Sequence, residues 1–288
     1  MINIFDQDFL TKWEDRQLEP ISAVPTHLPT LNRIMRDDGG GIGIPLHSGW
    51  LIVCGGSPGH GKSAFSLNLA ASALAHGCPV GMISLEMSSS QLATRLYSLA
   101  SGTALRLLEK GSFSELAWAS THPKFEKLPP VWVPDNIMSD WRDILVYMQK
   151  LHDSGCRFFI LDHLQCVALG DDEALHRGIQ KIINELRVWA VNYGSAVVIC
   201  SQFNRATSSV QETPRPSGLW GGHTVESNAS LVVCLDHSRY ERSGNIARSW
   251  VSVGKNRHGP CLDIPVEWNY RRLSQREADP SEEHLWPT

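Results

Sequence analysis

The segment Gly56-Ser57-Pro58-Gly59-His60-Gly61-Lys62-Ser63, followed by Ala64, sets glycine, lysine and hydroxyl in the order G-x-x-x-x-G-K-[ST]. That spacing suits a nucleoside polyphosphate. Glycines let successive backbone N–H groups turn inward around a phosphate, and a helix starting where the loop ends adds partial positive charge. Lys62 is long enough to reach the β- and γ-phosphates, and the Ser63 hydroxyl is a ligand type for Mg²⁺ bridging them. A glycine-rich turn with a chance lysine would share the letters. The flanks separate the two, because residues 50–54 read as a buried strand and 63–76 as a helix. The pattern predicts a site for ATP with Mg²⁺.

Hydrolysis needs further groups. Phe158-Phe159-Ile160-Leu161-Asp162 is an apolar run that ends in an acid. Asp162, at the end of a neighbouring strand, is placed to hold the metal's water shell, or else simply starts a turn. Glu86 follows residues 80–85, a strand expected to adjoin the phosphate-loop strand. A carboxylate there acts as general base toward water, or caps the next helix. Gln202 ends the strand after that of Asp162. Its amide senses the γ-phosphate and passes its loss to the following loop, or makes a plain strand-to-loop hydrogen bond.

These groups need a scaffold. Short β-branched runs at 50–54, 80–85, 131–133, 157–161 and 196–201 alternate with amphipathic segments at 63–76, 89–100, 141–154 and 174–193. Apolar runs bounded by helices predict strands buried on both faces of a parallel sheet, and so a doubly wound α/β core. Residues 202–222 are long, polar and rich in proline and glycine, which predicts a functional loop. Residues 230–236, 248–254 and 262–268 read as further strands. The chain divides into an arm or docking helix (1–25, with Phe5, Phe9, Leu10 and Trp13 as its apolar side), an ATPase domain (26–273) and a polar acidic tail (274–288).

The net charge of -4 excludes a uniformly basic nucleic-acid binder, so any DNA contact is confined to a local patch. Seven cysteines, an odd number without a CxxC pair and mostly inside apolar runs, read as buried reduced thiols. No signal-peptide pattern and no membrane-length apolar run is present, which predicts a cytoplasmic chain with no membrane contact.

Taken in order, five stretches closely resemble the RecA-like motor domain of DnaB-type replicative helicases, over residues 26–269. They are Ser57 to Phe65; Ser84-Leu85-Glu86-Met87-Ser88 with Gln91, Leu92 and Arg95; Leu161-Asp162-His163-Leu164-Gln165; Ser201-Gln202-Phe203-Asn204-Arg205; and Gly254-Lys255-Asn256-Arg257-His258-Gly259-Pro260. The resemblance implies an α/β, RecA-like P-loop NTPase core: a mostly parallel twisted sheet flanked by helices, with an antiparallel C-terminal extension. It implies an ATP hydrolase and 5′-to-3′ DNA helicase of DNA replication. The expected assembly is a homo-oligomeric ring, a hexamer, on single-stranded DNA, with primase or a helicase loader as further partners.

In the family, the residue matching Glu86 activates water, that matching Asp162 serves the metal, and that matching Gln202 couples nucleotide state to the DNA loops. The match to Arg257 is an arginine finger toward the neighbouring subunit's ATP, with Lys255 beside it; a solvated hairpin with cationic ends would carry the same letters. The loop after Gln202 is expected to grip the DNA backbone through Arg205, Arg215 and the N–H groups of Gly221 and Gly222. The pattern departs from the family in two places. Only a short arm precedes the core, where the family carries a helical domain. Residues 220–230 keep Glu226 and Ala229 but lack the family's arginine and aspartates. These departures leave a second reading, a RecA-, KaiC- or RadA-like regulatory ATPase that binds DNA or protein without unwinding.

Overall fold

Apolar side chains on both faces of six consecutive parallel strands dictate a three-layer arrangement. A computed structural model describes residues 23–35, 41, 43–112, 119, 122–123, 125–138, 140–166, 172–204 and 214–279. The apolar residues of the arm, Arg205 and the end of the tail lie outside the described residues. The parallel strands are β3 (Leu51–Gly55), β4 (Val80–Ser84), β5 (Val131–Trp132), β6 (Phe158–Asp162), β7 (Ala196–Ser201) and the first part of β8 (Leu231–Ser243). Then β9 (Ile246–Asn256), β10 (Asp263–Asn269) and β11 (Ser274–Glu277) continue the sheet as an antiparallel meander. The order across this sheet is β11-β10-β9-β8-β3-β7-β6-β4-β5. A two-stranded ribbon pairs β1 (Ala23–Val24) with β2 (Ile44–Pro45).

Successive side chains of a strand point to opposite faces, so a strand with two apolar faces must be covered twice. Ile52, Cys54, Met82, Phe158, Ile160, Val198 and Val233 face one core with Phe65, Leu69 and Ala73 of α2 (Lys62–Ala75) and Leu92 of α3 (Ser89–Ser101). Helix α1 (Pro29–Ile34) closes that core with Leu31 and Ile34. Leu51, Val53, Ile83, Phe159, Leu161, Ile199 and Val232 face the other core. There they meet Ile144 and Met148 of α5 (Trp141–Asp153), Ile182 and Leu186 of α6 (Asp172–Asn192) and Val225 of α7 (Gly222–Asn228). The short α4 (Leu105–Glu109) buries no residue. No helix among the described residues is long and apolar enough to cross a membrane.

The sheet order corrects two placements. The strand before Glu86 does not adjoin the phosphate-loop strand; β7 and β6 stand between β3 and β4. The Asp162 strand is also one place removed, with β7 between β6 and β3. In a doubly wound sheet the helical crossovers are long enough to skip positions, so neighbours in sequence need not be neighbours in the sheet. The fully buried β6 and β7 take central places.

Two strands extend past their apolar letters, and a third forms where none is read. β8 and β9 run to Ser243 and from Ile246, paired across a tight turn in which Gly244 has φ +61. Ser274–Glu277, polar in letters and read from sequence as the start of the tail, forms β11 against β10. Its polar groups are used: Arg276 Nε bonds Glu267 at 2.9 Å, and Gln275 N–H donates to Asn68 Oδ1 at 3.1 Å.

Candidate functional site

Strand β3 ends at Gly55 and α2 begins at Lys62, so the loop between them lies at the C-terminal edge of the sheet, aimed at a helix start. Gly59 and Gly61 have φ of +80 and +86, a region that strains any residue with a Cβ. Gly61 has a second constraint, since a Cβ there would sit 3.2 Å from the Trp268 ring. The Lys62 ammonium folds back onto the loop, donating to Gly56 O at 2.8 Å and Ser57 O at 3.0 Å. Burial lowers the Lys62 pKa, and Asp162 and Glu86 nearby act to raise it.

Asp162 closes β6 and is 2% exposed. Burial pushes its carboxyl upward, opposed by a hydrogen bond from Ser63 and by the charges of His163 and Lys62. Its Oδ1 is buried without a hydrogen-bond partner. An uncompensated buried acceptor is costly, and a hydrated cation in front of Ser63 would satisfy it. The described residues hold no cluster of three or more His, Cys, Asp or Glu suited to a metal. Mg²⁺ fits such a sparse set, because it keeps several waters and takes its other ligands from phosphates.

Glu86 reaches this place through β6. Ser84 pairs with Asp162, and Leu85 N–H donates to Asp162 O at 2.7 Å. Glu86 does not cap α3; Ser88 does, in a reciprocal capping box with Gln91. The Glu86 side chain is therefore left 66% exposed at the mouth of the site. Gln202 follows β7, and its Nε2 lies 2.7 Å from His163 Nε2. His163 Nδ1 in turn lies 3.6 Å from Glu86 Oε2.

A cavity of about 360 Å³ gathers these groups: residues 58–64, Glu86, Asp162, His163 and Gln202. Arg95, Trp268, Asn269, Tyr270 and Leu273 complete it. A role for His163 was not legible, although it stands beside Asp162. Trp268, Asn269, Tyr270 and Leu273 had no sequence signal, since they arrive from the end of β10, three places from β3 in the sheet, and from the turn after it. A larger recess of about 680 Å³ lies over β9 to β11. Its guanidiniums, Arg248 and Arg276, both engage the buried Glu267 carboxylate, so it offers no convergent phosphate site.

The stretch after Gln202 is held at both ends. Phe203 bridges Leu219, Asn204 N–H donates to Gly218 O at 2.9 Å, and Trp220 N–H donates to Gln202 O at 3.0 Å. Arg205 lies outside the described residues; Arg215 is exposed. Gly221, with φ +76, precedes α7. Gly222 is buried, and its N–H donates to Leu219 O at 2.9 Å, so in this conformation that amide is engaged within the loop. Pro216 packs on Gly254 of β9, where a Cβ would meet its ring at 2.6 Å. Gly254→Ala is expected to destabilise the fold by about 1–3 kcal/mol through overpacking. Urea unfolding checks this; an unchanged midpoint would show that the loop is not docked on β9.

Lys255 and Arg257 do not line this chain's own cavity. Both grip the C-terminal end of α7: Lys255 Nζ bonds Glu226 O, and Arg257 bonds Ser227 O through Nη2 and Ala229 O through Nε at 3.1 Å. They are thus not merely solvated. Asn256 ties their hairpin to α1 through Ile34 O at 2.7 Å.

With that geometry established, the chain can be set beside known proteins. It is 29% identical over 233 residues to a probable plasmid replicative DNA helicase of Chlamydia psittaci, covering 78% of this chain and 51% of that protein. It is 27% identical over 278 residues to the replicative DNA helicase DnaB of Leifsonia xyli subsp. xyli, covering 89% of this chain and 60% of the relative. The chain thus spans between half and two thirds of the length of these relatives. Its fold superposes on the ATPase domain of G40P with a TM-score of 0.77 at 19% identity, over 96% of this chain and 99% of that one. A KaiC-like protein of Pyrococcus horikoshii gives a lower TM-score of 0.60 at 15% identity, over 90% of this chain and 100% of that one. The profile of one family matches residues 24–275, almost the whole described domain. The chain belongs to that family, the DnaB-like helicase C-terminal domain.

Proposed function

We propose that this chain is the ATP-driven motor of a replicative DNA helicase, acting on single-stranded DNA as a ring with ATP sites between subunits. One observation carries the reading: a continuous path from the phosphate cavity to the candidate DNA loop. Gln202 lines the cavity, and its backbone carbonyl accepts from Trp220 N–H at the far end of that loop. Movement at the phosphate therefore has a direct route to residues 214–222. The hexameric ring, partners such as primase or a loader, and a cytoplasmic setting belong to the same proposal, supported by the kinship with replicative helicases.

The roles follow from position. Backbone N–H groups of the loop and Lys62 would bind the triphosphate. Mg²⁺, held by the Ser63 hydroxyl and the water-bridged Asp162 carboxylate, would neutralise charge on the phosphates. Glu86, exposed at the cavity mouth, would take the proton from the attacking water. Gln202 would register the γ-phosphate. Lys255 and Arg257 do not line their own cavity, which is consistent with groups that would serve a neighbour's site.

The decisive experiment is ATP turnover with and without oligo-dT, at low and moderate salt, on wild type and on Arg205→Ala with Arg215→Ala. Wild type is expected to be stimulated, and the double variant to lose most of that stimulation. Each phosphate contact removed should flatten the log–log salt slope by roughly 0.7. Turnover indifferent to DNA would sink the motor reading and leave the nucleotide site standing.

A further inference from the structure

We infer that His163 is a positioning residue that joins the base Glu86 to the sensor Gln202, so that the state of the DNA loop sets the placement of the base. The inference rests on the roles proposed above for those two residues, and goes beyond them by naming the link.

The imidazole stands between Gln202 and Glu86, two groups that line the same cavity. Its Nε2 is 2.7 Å from Gln202 Nε2, and its Nδ1 is 3.6 Å from Glu86 Oε2. A neutral imidazole has one donor and one acceptor nitrogen. If Gln202 donates to Nε2, the proton sits on Nδ1, facing the Glu86 carboxylate, an acceptor; Cys166 Sγ lies 3.5 Å from Nδ1 and 3.6 Å from Nε2 and favours neither tautomer. The opposite arrangement would aim a lone pair at a carboxylate. The charge of Glu86 thus selects the tautomer that bonds Gln202. The ring is rigid and its side chain only 10% exposed, so displacing one partner moves the other rather than being absorbed by solvent.

The chain of contacts extends both ways. Gln202 N–H donates to Gln165 Oε1 at 3.2 Å, and Gln165 Nε2 donates to Ser201 Oγ at 3.1 Å, which fixes the strand end from which Gln202 swings. Gln202 O receives Trp220 N–H. A shift of the DNA loop therefore pulls on Gln202, turns His163 and moves Glu86 at the mouth of the site. Packing alone predicts none of this, because a purely structural histidine would have no reason to hydrogen-bond Gln202 on one side while facing a carboxylate on the other.

The test uses the full chain and two readouts. The first is the affinity for fluorescent oligo-dT, measured with a non-hydrolysable ATP analogue and with ADP; the ratio of the two is the coupling. A wild-type ratio of about 5- to 150-fold is the ordinary range for allosteric coupling. His163→Ala is expected to bring the ratio near one, as is Gln202→Ala, with the double variant no worse than either. His163→Gln, whose amide reaches where Nε2 sits, is expected to recover part of it. The second readout is steady-state turnover, where kcat should fall in His163→Ala while KM for ATP changes by less than about threefold.

A His163→Ala ratio equal to wild type, or effects of the two single variants that simply add, would overturn the link. A wild type with no coupling at all would instead overturn the motor reading. The same double-variant cycle on basal kcat then still decides whether His163 and Gln202 act together. Should His163→Ala fail to fold, His163→Gln against Gln202→Ala carries the cycle.

Discussion

Glu86→Gln is expected to bind ATP as wild type does and to turn it over slower by a factor on the order of 10² to 10⁴. The substitution is almost isosteric and removes the proton acceptor together with the charge that faces His163. It should also leave the fold alone. The side chain is 66% exposed, and helix α3 takes its cap from Ser88, so neither core nor helix start depends on Glu86. The backbone that positions it is independent of the side chain, since Leu85 N–H is held by Asp162 O. The loss corresponds to roughly 3–5 kcal/mol of transition-state stabilisation. A fluorescent-nucleotide titration beside steady-state turnover measures both halves. Turnover within about twofold of wild type would remove Glu86 as the base. Weakened nucleotide binding with proportionally weakened turnover would reassign it to ground-state binding.

The phosphate loop was legible because its chemistry is local. Gly59, Gly61, Lys62 and Ser63 act within one turn of backbone, and the strand and helix that present them adjoin in sequence. The elements were legible for the same reason, down to a residue or two at β7 and α5. Asp162, Glu86 and Gln202 could be named because each follows an apolar run, but their mutual arrangement could not. Glu86 comes to the site by pairing with β6 rather than β3, and that order is decided by which strands bury the most apolar surface. His163 shows the limit most clearly. One residue past Asp162, it looks like part of a strand-to-loop turn. Its two partners lie 77 and 39 positions away in the chain, and only tertiary structure brings them to one ring. Trp268 and Asn269 enter the cavity from the antiparallel extension, where periodicity predicts only a strand. Lys255 and Arg257 were read as facing a neighbour; what the letters could not show is that a single chain parks them on the end of α7.

That parking shapes the last expectation. Arg257→Ala is expected to lower turnover by a factor on the order of 10³ or more, the scale of an arginine supplied in trans to phosphoryl transfer. Nucleotide affinity of the isolated chain should hardly change, because Arg257 does not line its own cavity. Within one chain the guanidinium serves α7, bonding Ser227 O and Ala229 O at a helix end where a cation is favourable. Reaching a neighbour's γ-phosphate means exchanging neutral carbonyls for charged oxygens, and charge-assisted hydrogen bonds are roughly twice as strong. The exchange is therefore downhill only when a triphosphate is present next door. Mixing the variant into wild-type rings distinguishes the two roles. A residue acting in trans disables the adjacent wild-type site, so activity falls faster than the fraction of variant added. A residue acting only as a helix cap lowers activity in proportion to dilution and costs about 1 kcal/mol of stability. Proportional dilution would return Arg257 to its own chain and remove the reason for a ring from this site.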